Sequence, residues 1–477
     1  MDFGRKNAVG GLLKKSLFVF SLFCAVCIFA APAPKYIFLF IGDGMSIPQR
    51  MVAEEFSLKT GHGPLAMNQM PYQANTRTKS LSSIITDSAA AATAIACGEK
   101  TNNRMLGVRP DGSPIESVAH VAKKAGMKVG IITTVTIIHA TPAGFYAHRP
   151  ARGLTYQIAL DLVSSGFDYF AGGGVGGKHN DKNDPEYRGD VFDLARKAGY
   201  QVVKTREEWA SLKPGSKSWS IFADGAMDFS IDSDGSQPSI KELLEKGIEV
   251  LDNENGFFIM CEGGKVDYAG HANDAATNVR DILALDEAVK AALKFQKKHP
   301  EETLVIVTGD HETGGMSLGF AGTGGKFKVE LLEGQKCSTE NFSSMIKKML
   351  KDDIEIDFEK IKPIVTEKFG LVFSGDKNNP MCVKSAELKL LKEAFENDRN
   401  YVKRQVSDTT AHDVGRKYMF ASTVRTILAA HAGIGWSSGS HTALPTSTTA
   451  QGVCADIIIG MQENTDIGIR LKKLIAK

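Results

Sequence analysis

Three acids close short, wholly apolar runs at matching places: Asp43 in FIGDG, Glu262 in MCEGG and Asp310 in VTGDHE. Carboxylates gathered at one point repel each other unless a cation neutralises them, so three that converge point to a metal centre. Other ligand types stand beside them. VDYAGHAND sets Asp267 and His271 four residues apart, a spacing that a helical turn brings to one face as a chelating pair. His311 follows Asp310 directly, and His441 lies in a Gly- and Ser-rich stretch, SSGSHT. Mixed carboxylate and imidazole ligation suits Zn²⁺, whereas an oxygen set such as Asp43, Thr141 and Glu262 suits Mg²⁺.

The stretch TDSAAAATAIAC (86–97) adds a hydroxyl. Asp87 or Ser88 ahead of an Ala-rich run is an ordinary N-cap, which satisfies orphan N–H groups and needs no further purpose. Beside a polynuclear metal site the same hydroxyl gains chemistry. A metal can ionise Ser88 for attack on an electrophile whose anionic oxygens the helix N–H groups hold. The small residues behind it let that helix pack closely under the centre. Arg152, in AHRPARG, is either a bidentate clamp for two phosphate oxygens or a surface charge.

These residues need a frame that brings them together. Apolar runs at 35–44, 128–134, 167–174, 256–264 and 303–315 alternate with amphipathic patterns such as IKELLEKGIEVLD and NVRDILALDEAVKAALKFQKK. That alternation predicts an α/β fold, a three-layer sandwich with a mostly parallel central sheet flanked by helices. In such sheets ligands bind outside the carboxyl ends of the strands, where the three acids would converge. From 323 to 410 the composition turns to Lys, Glu and Asp on one-sided helical patterns, which reads as a mainly helical insertion or cap. The catalytic domain is then 32–322 with 411–477. Gly172-x-Gly174-x-x-Gly177 has the spacing of a dinucleotide fingerprint, but polar, turn-rich KHNDKNDPEYRGD follows it, so it reads as a tight strand-end loop.

Arg5, Lys6, Lys14 and Lys15 precede an apolar run of fifteen residues, SLFVFSLFCAVCIFA, and then APAPK. A basic start, an apolar stretch short for a bilayer and small residues after it predict a secretory signal peptide over residues 1–31, with cleavage near Ala30 to Ala33. Losing four bases and one acid with the leader takes the formal net charge from +2 to −1. The remaining chain therefore has no basic footprint for nucleic acid and no membrane span. Cys24 and Cys27 leave as well, and of the five remaining cysteines Cys337 and Cys382 share a polar segment and could pair. Cys97 and Cys261, beside apolar runs, read as buried hydrophobes.

Taken in order, IGDG, ITDSAAAAT, HATPAGFYAHRPAR, CEGGKVDYAGH, VTGDHETGG and GWSSGSHT resemble the motifs of the alkaline phosphatases, from about residue 36 to 322 and again from 411 to 460. The resemblance implies that Ser88 becomes phosphorylated and that Asp87 supports a phosphate-binding Arg152. It implies one zinc on Asp267, His271 and His441, a second on Asp43, Asp310 and His311, and one magnesium on Asp43, Thr141 and Glu262. His139 stands where some bacterial members have Asp and animal ones His, which places it at the edge of the magnesium site. Tyr268 stands where Lys, His or Trp occurs. Hydrolysis of phosphate monoesters in the periplasm or outside the cell, by a homodimer, is the implied activity. A phosphodiesterase or other phosphoryl hydrolase of the same superfamily and a non-catalytic metal-binding relative are the alternatives. A sulfatase would need x-P-x-R after its nucleophile, where this chain has Ala-Ala-Ala.

Overall fold

The computed structural model describes residues 33–376, 378–407 and 419–476. The expected leader, with Cys24 and Cys27, and the expected boundary at 410 lie outside the described residues. Strands β1 (Tyr36–Gly42), β2 (Tyr72–Arg77), β3 (Lys128–Thr136), β4 (Tyr169–Gly173), β5 (Gln201–Val203), β6 (Ser218–Ile221), β7 (Phe257–Gly263) and β8 (Thr303–Gly309) belong to the main sheet. Four short strands follow: β9 (Glu312–Thr313), β10 (Met316–Leu318), β11 (Ile434–Trp436) and β12 (His441–Thr442). The main sheet is completed by β13 (Thr446–Gly452) and β14 (Gly460–Glu463), in the order β14-β2-β13-β8-β1-β7-β3-β4-β6-β5. Only β13 runs antiparallel to its neighbours there. The short strands pair as two antiparallel ribbons, β10 with β11 and β9 with β12.

The predicted sandwich is the observed one, and alternation within β1 shows why its run is continuously apolar. Phe38 and Phe40 enter the core on one face of the sheet, while Ile37, Leu39 and Ile41 enter the core on the other. A strand covered on both sides has no polar face to present. Phe38 packs edge-on against Phe257 of β7, with centroids 5.2 Å apart; truncating a phenylalanine at such a position to alanine costs about 3–5 kcal/mol. Helices Ile240–Leu251 and Ala275–Lys298 cover the first face, and Ser88–Cys97, Val118–Lys124, Thr155–Ser164 and Asn464–Ile475 cover the second.

Within 323–410, helices Thr339–Asp352, Phe358–Phe369 and Ser385–Ser407 turn Phe342, Phe358, Phe369 and Phe395 into the core of the first face. Phe420, from helix Met419–Ala432, meets Phe395 at 5.5 Å. The five described cysteines are all free thiols, so the pairing open to Cys337 and Cys382 is not made: Cys337 is buried at the start of a helix and Cys382 half-buried in a loop. Cys97 and Cys261 are buried as expected. The glycine run at the end of β4 is a close-packing device. A Cβ on Gly172 would lie 2.2 Å from the Thr133 carbonyl, and one on Gly174 would lie 2.4 Å from that of Asp224.

Candidate functional site

Register places the acids. In parallel pairing Gly42 of β1 sits level with Gly263 of β7 and with Gly309 of β8. Asp43 and Asp310 therefore leave the sheet side by side, one residue beyond that level, while Glu262 lies one residue before it. Gly44 turns the chain immediately after Asp43 with φ +69°, and its N–H donates to Asp310 Oδ1 at 3.1 Å. Helix Lys265–His271 follows β7 and carries Asp267 and His271 one turn apart, with His271 Nε2 3.4 Å from Asp267 Oδ2. The β9–β12 ribbon brings His441 opposite Thr313, two residues after His311.

Hydrogen bonds orient the imidazoles. His271 Nδ1 lies 2.8 Å from the Gly439 carbonyl and His441 Nδ1 lies 2.9 Å from that of Thr86. A carbonyl only accepts, so both rings carry their proton on Nδ1. Thr313 Oγ1 donates to Asp267 Oδ1 at 2.6 Å and accepts from His311 Nδ1 at 3.2 Å, which gives His311 the same tautomer. All three rings then point an Nε2 lone pair at the carboxylates, the arrangement in which histidine ligates a metal. His139 differs. Arg152 Nη2 donates to His139 Nε2 at 3.1 Å, leaving the proton on Nδ1, 3.6 Å from Asp43 Oδ2 and 3.9 Å from Glu262 Oε1.

The ligand atoms gather in three groups within 4.8 Å: Asp43, Asp310 and His311; Asp267, His311 and His441; Asp43, His139 and Glu262. His311 thus stands in two of them, and His271 adjoins the second, its ring 5.0 Å from that of His441. Thr141 Oγ1 donates to Asp43 Oδ2 at 3.3 Å beside the third. In the absence of a cation, burial and mutual repulsion push Asp43 well above the usual carboxylate range. Burial likewise raises Asp310 to about 7, with Asp267 adding to it, and Glu262 to about 8. Burial holds His139 down at about 3 and His311 well below its ordinary value. Asp43 Oδ1, Glu262 Oε1 and Asp310 Oδ2 are buried without a hydrogen-bond partner. Orphaned acceptors in a crowded anionic pocket, with neutral imidazoles alongside, fit divalent cations of both the mixed and the oxygen-rich kind.

Ser88 faces this cluster. Helix Ser88–Cys97 is buried along its whole length and begins at Asp87, whose Oδ1 accepts from Ala90 N at 3.1 Å, so Asp87 is the N-cap and Ser88 the first helical residue. Gly98 ends it in the left-handed conformation. Ser88 Oγ is 3.1 Å from His311 Nε2, so the hydroxyl donates to that lone pair. Arg152 is held from two sides, Nη1 by Asp87 Oδ2 at 3.2 Å and Nη2 by His139. It is a positioned group, bonded to the residue that precedes Ser88, and not a free surface charge.

The candidate ligands, Ser88, Asp87 and Arg152 thus converge on one end of the sheet. Missed were the groups that hold them. Thr313 bridges Asp267 and His311, and Thr133 donates to Glu262 Oε2. Glu312 is fully buried and accepts from Gln49, Gly315 N, Met316 N and the Thr442 hydroxyl. The run HETGG placed Glu312 and Thr313 next to a ligand, which was the available signal.

Comparison with known proteins agrees with this geometry. A family model described as alkaline phosphatase matches residues 34–476. The repressible alkaline phosphatase of Saccharomyces cerevisiae is 33% identical over 322 residues, 60% of this chain and 56% of its own length, so the match spans just over half of that relative. Alkaline phosphatase 3 of Bacillus subtilis is 29% identical over 455 residues, covering 92% of this chain and 89% of its own. The crystal structure of a cold-active alkaline phosphatase from a psychrophilic Shewanella superposes with a TM-score of 0.77 at 26% identity, over 93% of this chain and 100% of that one.

Proposed function

The chain belongs to the alkaline phosphatase family, and from that premise we propose that it hydrolyses phosphate monoesters through a phosphoserine on Ser88. The observation that carries the reading is the Ser88 hydroxyl, at a helix N-terminus, 3.1 Å from His311 Nε2 and flanked by Arg152. Zinc would be held by Asp43, Asp310 and His311, and a second zinc by Asp267, His271 and His441. Magnesium would be held by Asp43, Thr141 and Glu262, with His139 as an outer hydrogen-bond donor, since its proton lies on the side facing the carboxylates. When bound, such ions neutralise the carboxylates, favour ionised oxygen nucleophiles and stabilise the charge that develops on entering and leaving oxygens.

The protein's own groups supply position. Asp87 and His139 fix the Arg152 guanidinium so that its free N–H groups can pair with two phosphoryl oxygens. The N–H groups of Ser88 and Ala89, which have no acceptor within the helix, add the anion preference of a helix N-terminus. Ser88 is buried against small side chains, so its oxygen has little freedom to leave the line of attack. The predicted leader would deliver the enzyme to the periplasm or the exterior; no helix among the described residues is long and apolar enough to cross a membrane. A homodimer is part of the same reading, by resemblance to the family.

Ser88→Ala, assayed on a simple aryl phosphate at alkaline pH, should lose about three orders of magnitude or more in kcat, and wild-type protein quenched in acid during turnover should carry covalent phosphate that the variant lacks. Undiminished turnover in the variant would remove Ser88 from the mechanism. Faster hydrolysis of a diester than of the matching monoester would favour a phosphodiesterase.

A further inference from the structure

A second polar cavity of about 530 Å³ has Tyr268 in its lining, and that residue also adjoins the carboxylate and imidazole cluster through His139. One side of the Tyr268 ring meets the His139 ring edge-on at 6.1 Å, and the residue also lines the cavity. Inside is Lys265, only 5% exposed. Its Nζ sits 3.5 Å above the Phe229 ring and 5.2 Å from that of Tyr268. Asp228, Asp232 and Glu340 line the same cavity, yet none of them forms an ion pair with Lys265, and among the described residues its amino group has no hydrogen-bond acceptor. A buried amine surrounded by carboxylates that it does not touch is a donor left open to something that enters between them.

The lining selects the chemistry of the entrant. It offers a strong donor in Lys265, acceptors in the acids, and aromatic faces in Phe229 and Tyr268. A ligand rich in hydroxyls satisfies both kinds of group, because each hydroxyl accepts and donates. Carboxylates outnumber the single amine, so a leaving group with further negative charge would be repelled. A divalent cation alone would meet the Lys265 amino group among its carboxylate ligands. We propose that this cavity is a leaving-group subsite that selects sugar and polyol phosphates, with the phosphoryl group at Ser88 and the hydroxyl-bearing part passing Tyr268 to reach Lys265. The proposal rests on the phosphomonoesterase reading above.

The test compares wild type, Lys265→Met and Glu340→Gln on glucose phosphate and nitrophenyl phosphate, together with calorimetric titration of free glucose and of calcium chloride. Lys265→Met should lower the ratio of kcat/KM for glucose phosphate to that for nitrophenyl phosphate about tenfold or more, the value of a lost hydrogen bond from a charged donor. The loss should appear mainly in KM, and the weak heat of glucose binding should disappear. Glu340→Gln, at the exposed first turn of its helix, should shift the ratio the same way by a smaller factor and guards against misfolding of the first variant. An unchanged ratio in both variants, or calcium heat without glucose heat, overturns the subsite. Absence of hydrolysis of either ester in wild type would instead overturn the phosphatase reading, and the glucose titration would still decide the cavity.

Discussion

Glu312 offers the sharpest test of how the site is held. It is fully buried, and its two oxygens receive four donors: Gln49 Nε2 at 2.5 Å and Met316 N at 3.1 Å on Oε1, Gly315 N at 3.0 Å and the Thr442 hydroxyl on Oε2. Glu312→Gln keeps the shape but turns one oxygen into an NH₂ group. With the NH₂ group on the Oε1 side, Gln49 Nε2 and Met316 N face a donor; on the Oε2 side only Gly315 N must, because the Thr442 hydroxyl can turn to accept. Hydrogen bonds to a charged acceptor contribute about 1.5–3 kcal/mol each, so losing one or two costs about 1.5–6 kcal/mol with no water to replace them. The damage should not stay local, because Thr442 and His441 form β12 and are registered on Glu312 and Thr313 of β9. Urea unfolding of the metal-loaded variant should show that loss of stability, and competition against a chelator should show metal released from the Asp267–His441 group about 10–100-fold more readily. A loss under about 1 kcal/mol with unchanged metal retention would refute the idea that this carboxylate ties His441 to the sheet.

Two further outcomes are expected. His120 is held by burial and by His148 at about 4, against an ordinary value of 6.5. The unfolded chain therefore takes up this proton first on acidification: the stabilisation is full above about 6.5 and is lost as pH falls to about 4, up to about 3 kcal/mol. Subtracting the pH–stability curve of His120→Phe from that of wild type should isolate the step, and parallel curves would reject it. Gly44→Ala should cost about 1–2 kcal/mol in backbone strain, and its Cβ would press on Thr313 Oγ1 at 2.8 Å. Because Thr313 orients Asp267 and His311, activity and metal retention should fall further than melting temperature does; wild-type metal retention would count against that role.

Half of the sheet could be read from hydrophobicity, and the other half could not for an identifiable reason. β1, β3, β4, β7 and β8 are buried on both faces, and their residues are apolar nearly throughout. β13 is TSTTAQG and sits between β8 and β2. Thr448 Oγ1 lies 2.6 Å from Thr76 Oγ1 and 2.7 Å from Thr308 Oγ1, and Gln462 Nε2 donates to Thr76 at 3.0 Å. Four neighbouring strands thus satisfy their buried hydroxyls and amide through one another. β2, β13 and β14 each look like a loop alone, because their partners are up to 386 residues away.

The same division runs through the site. Asp43, Glu262 and Asp310 were visible because charge at the end of an apolar run is a residue-type signal, and parallel register converts equal positions in three strands into proximity. What orients the histidines carries no such signal. The acceptors for His271 and His441 are the carbonyls of Gly439 and Thr86, which any residue would supply. His139 shows what that hides. By residue type it is a ligand equal to His311, and by distance it belongs to a group with Asp43 and Glu262. Only the Arg152 bond to its Nε2 moves the proton to the face where a lone pair would be needed. On the proposed reading, phosphate clamp and metal site are therefore linked through one hydrogen bond: turning Arg152 away from His139 would free that ring to change tautomer and become a ligand. Replacing His139 should consequently disturb phosphate affinity as well as the third metal, a coupling that residue identity alone does not contain.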